Sequence, residues 1–176
     1  MNLIPCVTPP PPPLAISAQS APASAIGVRL TQLLVEAQTY SRDNASDWRS
    51  LTSALIEAIA GECEASNWDG YGAAAIRAGV KEQAQRFINL LPFRLPPPDP
   101  TVDPDGDIAL VWDFGPGHVR SVSVGADGVL TYAGLLGDGV KRHGVERFEA
   151  DIPKVILQSI EELVEKSKSA SRLAGR

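Results

Sequence analysis

The two histidines of the chain, His118 and His143, are its best candidates for acid–base chemistry near neutral pH. Either imidazole could work with the carboxylate of Asp69, Asp105 or Asp138 as a general acid–base pair, if the fold brings the groups together. Neither histidine belongs to a ligand pair such as HExxH, and no GxSxG or SxxK sequence marks a serine nucleophile. A small hydrolase or transferase that uses Asp69 with His118 or His143 is therefore one alternative, and no catalytic residue is assigned.

Three aspartates, Asp103, Asp105 and Asp107, alternate in a short acidic stretch that superficially resembles a calcium loop. An EF-hand loop needs Gly at its sixth position and Glu at its twelfth. Counted from Asp103, Gly106 stands at the fourth position and Phe114 at the twelfth. We therefore expect a solvated turn that precedes a strand, and no metal site.

The glycine-rich stretch 134–139 lacks the GxxxxGK[ST] spacing of a phosphate-binding loop and does not lead into a helical pattern. It is interpreted as a loose connection, and no cofactor is expected. The basic residues 141–143 and the basic C-terminal tail have no interleaved aromatics of the kind that stack on bases. A net charge of −5 and a pI near 5.0 also argue against nucleic acid as a partner.

Aromatic side chains are the remaining candidates for a site, and two of them lie in the loop Asn-Trp-Asp-Gly-Tyr-Gly-Ala, residues 67–73. One interpretation packs the loop rings and the sheet rings into one small core, because exposed rings are costly. The other presents Trp68 and Tyr71 to another protein as anchors, with Asp69 capping or orienting the loop. The candidate binding residues are Trp68, Asp69, Tyr71, Trp112 and Tyr132, and Phe114 belongs to the same aromatic set.

The first part of the chain divides into an arm and a helical hairpin. Residues 1–24 contain five consecutive prolines and no charged side chain, which predicts a disordered proline-rich arm. Residues 25–65 carry two apolar stripes with steps of three and four residues and predict a helical hairpin, the second helix capped by Asp47. The hairpin cannot bury both stripes alone, so it is expected to pack on the remaining domain or on another chain. A structural subunit that oligomerises through residues 26–62 is therefore a second alternative.

Residues 66–165 predict a domain in which a helix precedes a small sheet. A third apolar helical stripe ends at Pro92, and the six prolines between Pro92 and Pro104 predict a stiff surface connector. The next stretch predicts a strand in which two sets of side chains alternate: Ile108, Leu110, Trp112 and Phe114 with Ala109, Val111 and Asp113. Further strands begin near His118, with Val122 and Val124 on one face, and near Val129. A short fourth strand could follow at 145–148.

A closing helix is predicted after Asp151, with its buried stripe running from Ile152 to Val164. Residues 166–176 are expected to be a basic flexible tail. The order of elements predicts an α+β fold: N-terminal helices, a small antiparallel sheet of three to four strands, and a C-terminal helix.

A series of short motifs follows in a fixed order along residues 67–164. It comprises loop 67–73, the alternating strand after Asp105-Gly106, strand 121–124, the Asp127-Gly128 turn, residues 132–135, His143-Gly144, Phe148 and Ile152-Pro153. This series resembles an uncharacterised bacterial family of small soluble proteins with an Asn-Trp-Asp-Gly-Tyr-Gly-Ala loop, and the resemblance covers about residues 67–164. The chain departs from it at Ala74-Ala75, in place of a proline, and at Val111, in place of an acidic residue.

The family has no established activity, but its members look like products of small paired genes. The resemblance therefore implies a protein partner that is encoded nearby. No stretch reaches the roughly 20 apolar residues that span a bilayer, so no membrane partner is expected. Two cysteines, Cys6 and Cys63, are too few for a disulfide framework or a zinc site, which favours the cytoplasm. We expect a cytoplasmic, non-enzymatic, antitoxin-like accessory protein that binds another protein.

Overall fold

A computed structural model describes residues 48–137 and 139–174 of the chain. Its helices are α1 (Trp48–Glu62), α2 (Val80–Leu90) and α3 (Lys154–Ala174). Its strands are β1 (Asp99–Val102), β2 (Ile108–Asp113), β3 (His118–Val124), β4 (Val129–Leu136) and β5 (Lys141–Arg147). The predicted proline-rich arm, the first helix of the hairpin and the Asp47 cap lie outside the described residues.

The five strands form one antiparallel sheet in the order β1-β2-β3-β4-β5, so each strand pairs with its neighbours in sequence. Helices before the sheet and α3 after it confirm the predicted α+β class. The sheet has five strands, however, and the expectation of three to four was wrong. The extra strand is β1, and β5 begins at Lys141, four residues before the predicted fourth strand.

Strand β1 lies within the proline-rich stretch that was predicted to be a connector. It includes Pro100, which faces Leu110 of β2, and it pairs with β2 alone. On an edge strand, half of the N–H groups point away from the ladder, so a proline is tolerated there. The proline content therefore concealed a strand whose pairing partner comes later in the chain.

The helices cover one face of the sheet. Helix α3 contacts β3 and β4, α2 contacts β2 and β3, and α1 packs on α2 and β1. Alternation along β2 places Ile108, Leu110 and Trp112 in the core. The predicted stripe of the closing helix, from Ile152 to Val164, is also buried. Thr131, His143 and Val145 lie on the opposite face, where they are exposed.

Helix α1, the described part of the predicted hairpin, shares the core of the sheet through Ile56 and so packs on the domain after it. One predicted boundary differs from the structure. Helix α3 continues to Ala174, beyond the expected start of a tail at residue 166. An ion pair one turn apart, Lys166 with Glu162, and the hydroxyl of Ser167, which donates to the Val164 carbonyl, support this last part. None of the helices in the described ranges has the length and apolarity needed to span a membrane.

Candidate functional site

Loop 67–73 joins α1 to the segment before α2 and is closed by hydrogen bonds within itself. The Asn67 amide donates to the Ala73 carbonyl oxygen at 2.7 Å, and the Gly72 amide donates to Asn67 Oδ1 at 2.8 Å. Asn67 and Gly72 both have positive φ, 63° and 96°, a conformation that favours Asn and Gly. The chain therefore follows a defined path around the loop.

Asp69 organises the tip of this loop. Its Oδ1 atom accepts hydrogen bonds from the amides of Tyr71, at 2.8 Å, and Ala73, at 3.1 Å. These bonds, first the one from Tyr71 and then the one from Ala73, lower the pKa of the Asp69 carboxyl below its usual value. Asp69 is thus held as a carboxylate that turns the backbone, which is the orienting role that the sequence predicted for it.

The two aromatic rings of the loop have different surroundings. The Trp68 ring is half-buried, and its Nε1 donates to the Ala74 carbonyl oxygen at 2.9 Å. Tyr71 is 94% exposed, and no other aromatic residue in the described part of the chain is as exposed. The loop therefore uses Trp68 to fix its own shape and presents Tyr71 to the surroundings.

The sheet rings lie elsewhere. Trp112 is buried in the core and its Nε1 donates to the Pro96 carbonyl oxygen at 2.9 Å, and Tyr132 is also buried there. Phe114, just after β2, is partly exposed. The core that contains Trp112 and Tyr132 does not include Trp68 or Tyr71. The structure thus separates the loop rings from the sheet rings and does not gather them into one small core.

The histidines do not meet Asp69. Among the described residues, neither His118 nor His143 is hydrogen-bonded to the Asp69 carboxylate. His118 begins β3, with Nδ1 3.3 Å from the Pro116 carbonyl oxygen, and its ring packs on Gly137. His143 lies opposite Ala133 on the exposed face of β5. The arrangement brings no imidazole and carboxylate together for proton transfer at loop 67–73.

The other candidate groups are used structurally. Asp103 accepts from the Ser123 hydroxyl at 2.5 Å, Asp105 accepts from the Asp107 amide, and Asp107 pairs with Arg77. Within the described ranges, no group of three or more His, Cys, Asp or Glu side chains could hold a metal. Burial, followed by the charge of Glu62, raises the pKa of the Cys63 thiol to about 11, so Cys63 offers no thiolate at neutral pH.

The sequence analysis missed Arg120, which is fully buried on the core face of β3. None of its three guanidinium nitrogens has a hydrogen-bond partner among the described residues. Its guanidinium carbon lies 5.4 Å from the centre of the Tyr132 ring, a cation–π contact. Burial is the main cause that lowers the pKa of Arg120 from its usual value. A buried charge without an ionic partner costs on the order of 3–5 kcal/mol, so this side chain needs an explanation.

A signal for Arg120 was present in the sequence. Arg120 has the same parity as Val122 and Val124, which were assigned to one face of the strand. Its partner on β4 is Gly134, which was assigned to a loose connection but is part of the strand. A side chain at Gly134 would overlap the Val119 carbonyl oxygen and lie 3.3 Å from Arg120 Nε. The glycine thus makes room for the arginine.

A cleft of about 410 Å³ opens between β5 and α3, and Tyr132, whose ring contacts Arg120, lies in its wall. Residues of β4, β5 and α3 line it: Tyr132, Lys141, Arg142, His143, Val155, Gln158, Ser159 and Glu162. Arg142 approaches Glu162 across the cleft, with 3.6 Å between Nη2 and Oε2. Comparisons of the chain with models of known protein families, with characterised proteins and with solved structures found no match.

Proposed function

We propose that this chain is a non-enzymatic accessory component that binds another protein through loop 67–73, with Tyr71 as the anchor. The observation that carries the proposal is the 94% exposure of Tyr71 at the tip of a loop closed by its own hydrogen bonds. Tyrosine is enriched among residues that dominate binding energy. A contact presented by a preorganised backbone also loses less conformational entropy on binding than one on a mobile loop.

The proposed contact surface consists of Tyr71 and the partly exposed ring of Trp68, which stand on the backbone that Asp69 orders. Trp112 and Tyr132 are buried in the core and are not part of this surface. An enzymatic role for Asp69 is not favoured, since its Oδ1 atom is taken by two backbone amides. The proposal therefore assigns Asp69 a positioning role.

The proposed partner is a different protein, encoded by a neighbouring gene in a bacterium, and the pair would work in the cytoplasm in an antitoxin-like arrangement. The resemblance of residues 67–164 to products of small paired genes supports this part. Oligomerisation through residues 26–62 is less favoured, because α1 already packs its apolar face on α2 and β1 of its own chain.

The proposal is tested by co-expressing the tagged chain with the product of the neighbouring gene and measuring recovery of the pair. Replacement of Tyr71 by Ala should weaken binding by about 30-fold or more, because a hot-spot ring contributes about 2 kcal/mol or more. Tyr71→Phe keeps the ring and should retain most of the affinity. The dissociation constants are measured by calorimetry on the purified proteins.

Val145→Ala is the matched surface control, because Val145 is 63% exposed on β5, away from loop 67–73. We expect this variant to bind as the unmodified chain does. A stoichiometric complex that Tyr71→Ala leaves unchanged, or a chain that forms no complex with that product, would overturn the proposal.

A further inference from the structure

Arg120 carries a buried positive charge that has no hydrogen-bond partner among the described residues. The Arg120 guanidinium is buried beneath α3, and its five N–H donors meet no acceptor among the described residues. The Tyr132 ring at 5.4 Å offers attraction to the charge but accepts none of these donors in a hydrogen bond. A guanidinium in this setting has the planar fork that binds carboxylate or phosphate oxygens in pairs.

The register of the sheet places a second arginine, Arg142, in the same row of residues as Arg120. Gly134 pairs with Arg120 of β3 on one side and with Arg142 of β5 on the other. The three residues therefore form one row on the core face, with a glycine between two arginines. Arg120 Nε would lie 3.3 Å from a Cβ at Gly134, so the arginine side chain passes across β4 towards β5. The absence of a side chain at position 134 therefore leaves room for Arg120 to extend over β4.

The cleft beside this row has a surplus of positive charge. Glu162 is the one carboxylate among its lining residues, and it approaches both Arg142, at 3.6 Å, and Lys166, at 3.3 Å. Two of the lining residues, Lys141 and Arg142, are cationic, and two further cations lie beside the lining: Lys166 pairs with Glu162, and Arg120 contacts Tyr132. This surplus of positive charge occurs in a chain whose net charge is −5. The volume of about 410 Å³ lies in the range of sites that take small molecules.

We propose that the cleft between β5 and α3 binds a small molecule through an oxyanion, either a phosphate or a carboxylate group. Arg120 is the buried anchor of this site, and Arg142 contacts the same group from the mouth. Glu162 competes with the ligand for Arg142. Arg120 does not line the cleft itself, so the Tyr132 ring that lies between them turns aside when the anion enters. The inference rests on Arg120 and not on loop 67–73, so it is independent of the proposed protein partner.

Calorimetric titration of the full chain with inorganic phosphate and, separately, with citrate tests the site at constant ionic strength set by NaCl. We expect saturable binding with one site per chain for at least one of the two probes. Binding of phosphate alone identifies phosphate esters as the ligand class, and binding of citrate alone identifies carboxylates. A chain that binds neither probe saturably overturns the proposal.

Variants locate the site. Arg120→Met should abolish binding, and Arg142→Gln should weaken it about 10-fold or more, as loss of a charge-assisted hydrogen bond does. Glu162→Gln should tighten binding, because it removes the competing carboxylate. Arg147→Gln is the matched control: it removes one positive charge from the same strand, but on the opposite face, and should bind as the unmodified chain does.

Arg142 is exposed, so Arg142→Gln tests the site even if Arg120→Met does not fold. The proposal is overturned if Arg120→Met folds and binds the anion unchanged. It is also overturned if Arg147→Gln weakens binding as much as Arg142→Gln, because net charge alone would then account for the attraction. Weaker binding by Glu162→Gln would show that Glu162 supports the ligand and does not compete with it, which contradicts the assignment.

Discussion

In loop 67–73, which is neither helix nor strand, two side chains accept the hydrogen bonds of backbone amides. Asn67 Oδ1 accepts the Gly72 amide, and Asp69 Oδ1 accepts the amides of Tyr71 and Ala73. Short polar side chains commonly stabilise turns in this way. Since both glycines of the loop have positive φ, the sequence and the geometry agree at each position. The exposed ring of Tyr71 is therefore held by local chemistry.

Replacement of Asp69 by Ala should loosen the loop without removing the Tyr71 ring. We expect the amides of Tyr71 and Ala73 to lose their protection from hydrogen exchange, because their acceptor is gone. Exchange measured by NMR at neutral pH checks this. Asp127→Ala, which removes a comparable acceptor from the β3–β4 turn, is the control and should leave loop 67–73 unchanged. Equal protection in Asp69→Ala and the unmodified chain would contradict the role of Asp69.

Low pH should loosen loop 67–73 of the unmodified chain, as the Asp69→Ala substitution does. The pKa of Asp69 is lowered in the folded protein, so its stabilising contribution is present above the ordinary value of 3.8. That contribution is lost as the pH falls through the lowered value. Protection factors corrected for intrinsic exchange should therefore fall at low pH in the unmodified chain, and much less in Asp69→Ala.

At the scale of elements, Gly134 of β4 is a position where a side chain has no room, because its Cβ would overlap the Val119 carbonyl oxygen of β3. Local alternation predicted the apolar strands correctly, because each strand shows its own period of two. The pairing of Gly134 with Arg120 and Arg142 could not be predicted from local pattern, because it depends on register between strands. For the same reason Pro100 concealed β1: its tolerance depends on an edge position that only the assembled sheet defines.

Two Gly→Ala substitutions should have opposite effects on stability. Gly134→Ala places a Cβ against the Val119 carbonyl oxygen and 3.1 Å from Arg120 Cα, which are backbone atoms, so we expect a loss of about 1–3 kcal/mol. Gly61→Ala, in the last turn of α1, meets no atom within 4 Å and should stabilise the chain by up to about 1 kcal/mol. Urea denaturation measures both free energies of unfolding. A Gly134→Ala variant as stable as the unmodified chain would contradict the tight packing of β3 on β4.

At the scale of the whole molecule, the hydrophobic pattern predicted the α+β class and the order of its elements apart from β1. It did so because the helical stripes and strand alternation in residues 48–174 match the faces that are buried. Two further features could not be predicted in this way. Arg120 is charged, and charged side chains are expected at the surface. The separation of Tyr71 from the sheet rings depends on where loop 67–73 lies relative to the sheet, and this position cannot be predicted from composition.

The molecule has two candidate binding surfaces, loop 67–73 and the cleft between β5 and α3, and they are formed by different elements. Loop 67–73 precedes α2 and presents one exposed ring, whereas the cleft with Arg120 lies between β5 and α3 near the other end of the chain. The first suits contact with a protein and the second suits a small anion. Because different residues form them, each can be removed by substitution while the other is retained.

Photo-crosslinking tests the central claim, that Tyr71 touches a partner protein, most directly. Benzoylphenylalanine is placed at position 71 or, in a separate chain, at position 145, and the complex with the neighbouring gene product is irradiated. We predict a covalent adduct of the two proteins from position 71 and none from position 145, which is exposed on the sheet. An adduct from position 145 with none from position 71 would contradict the account.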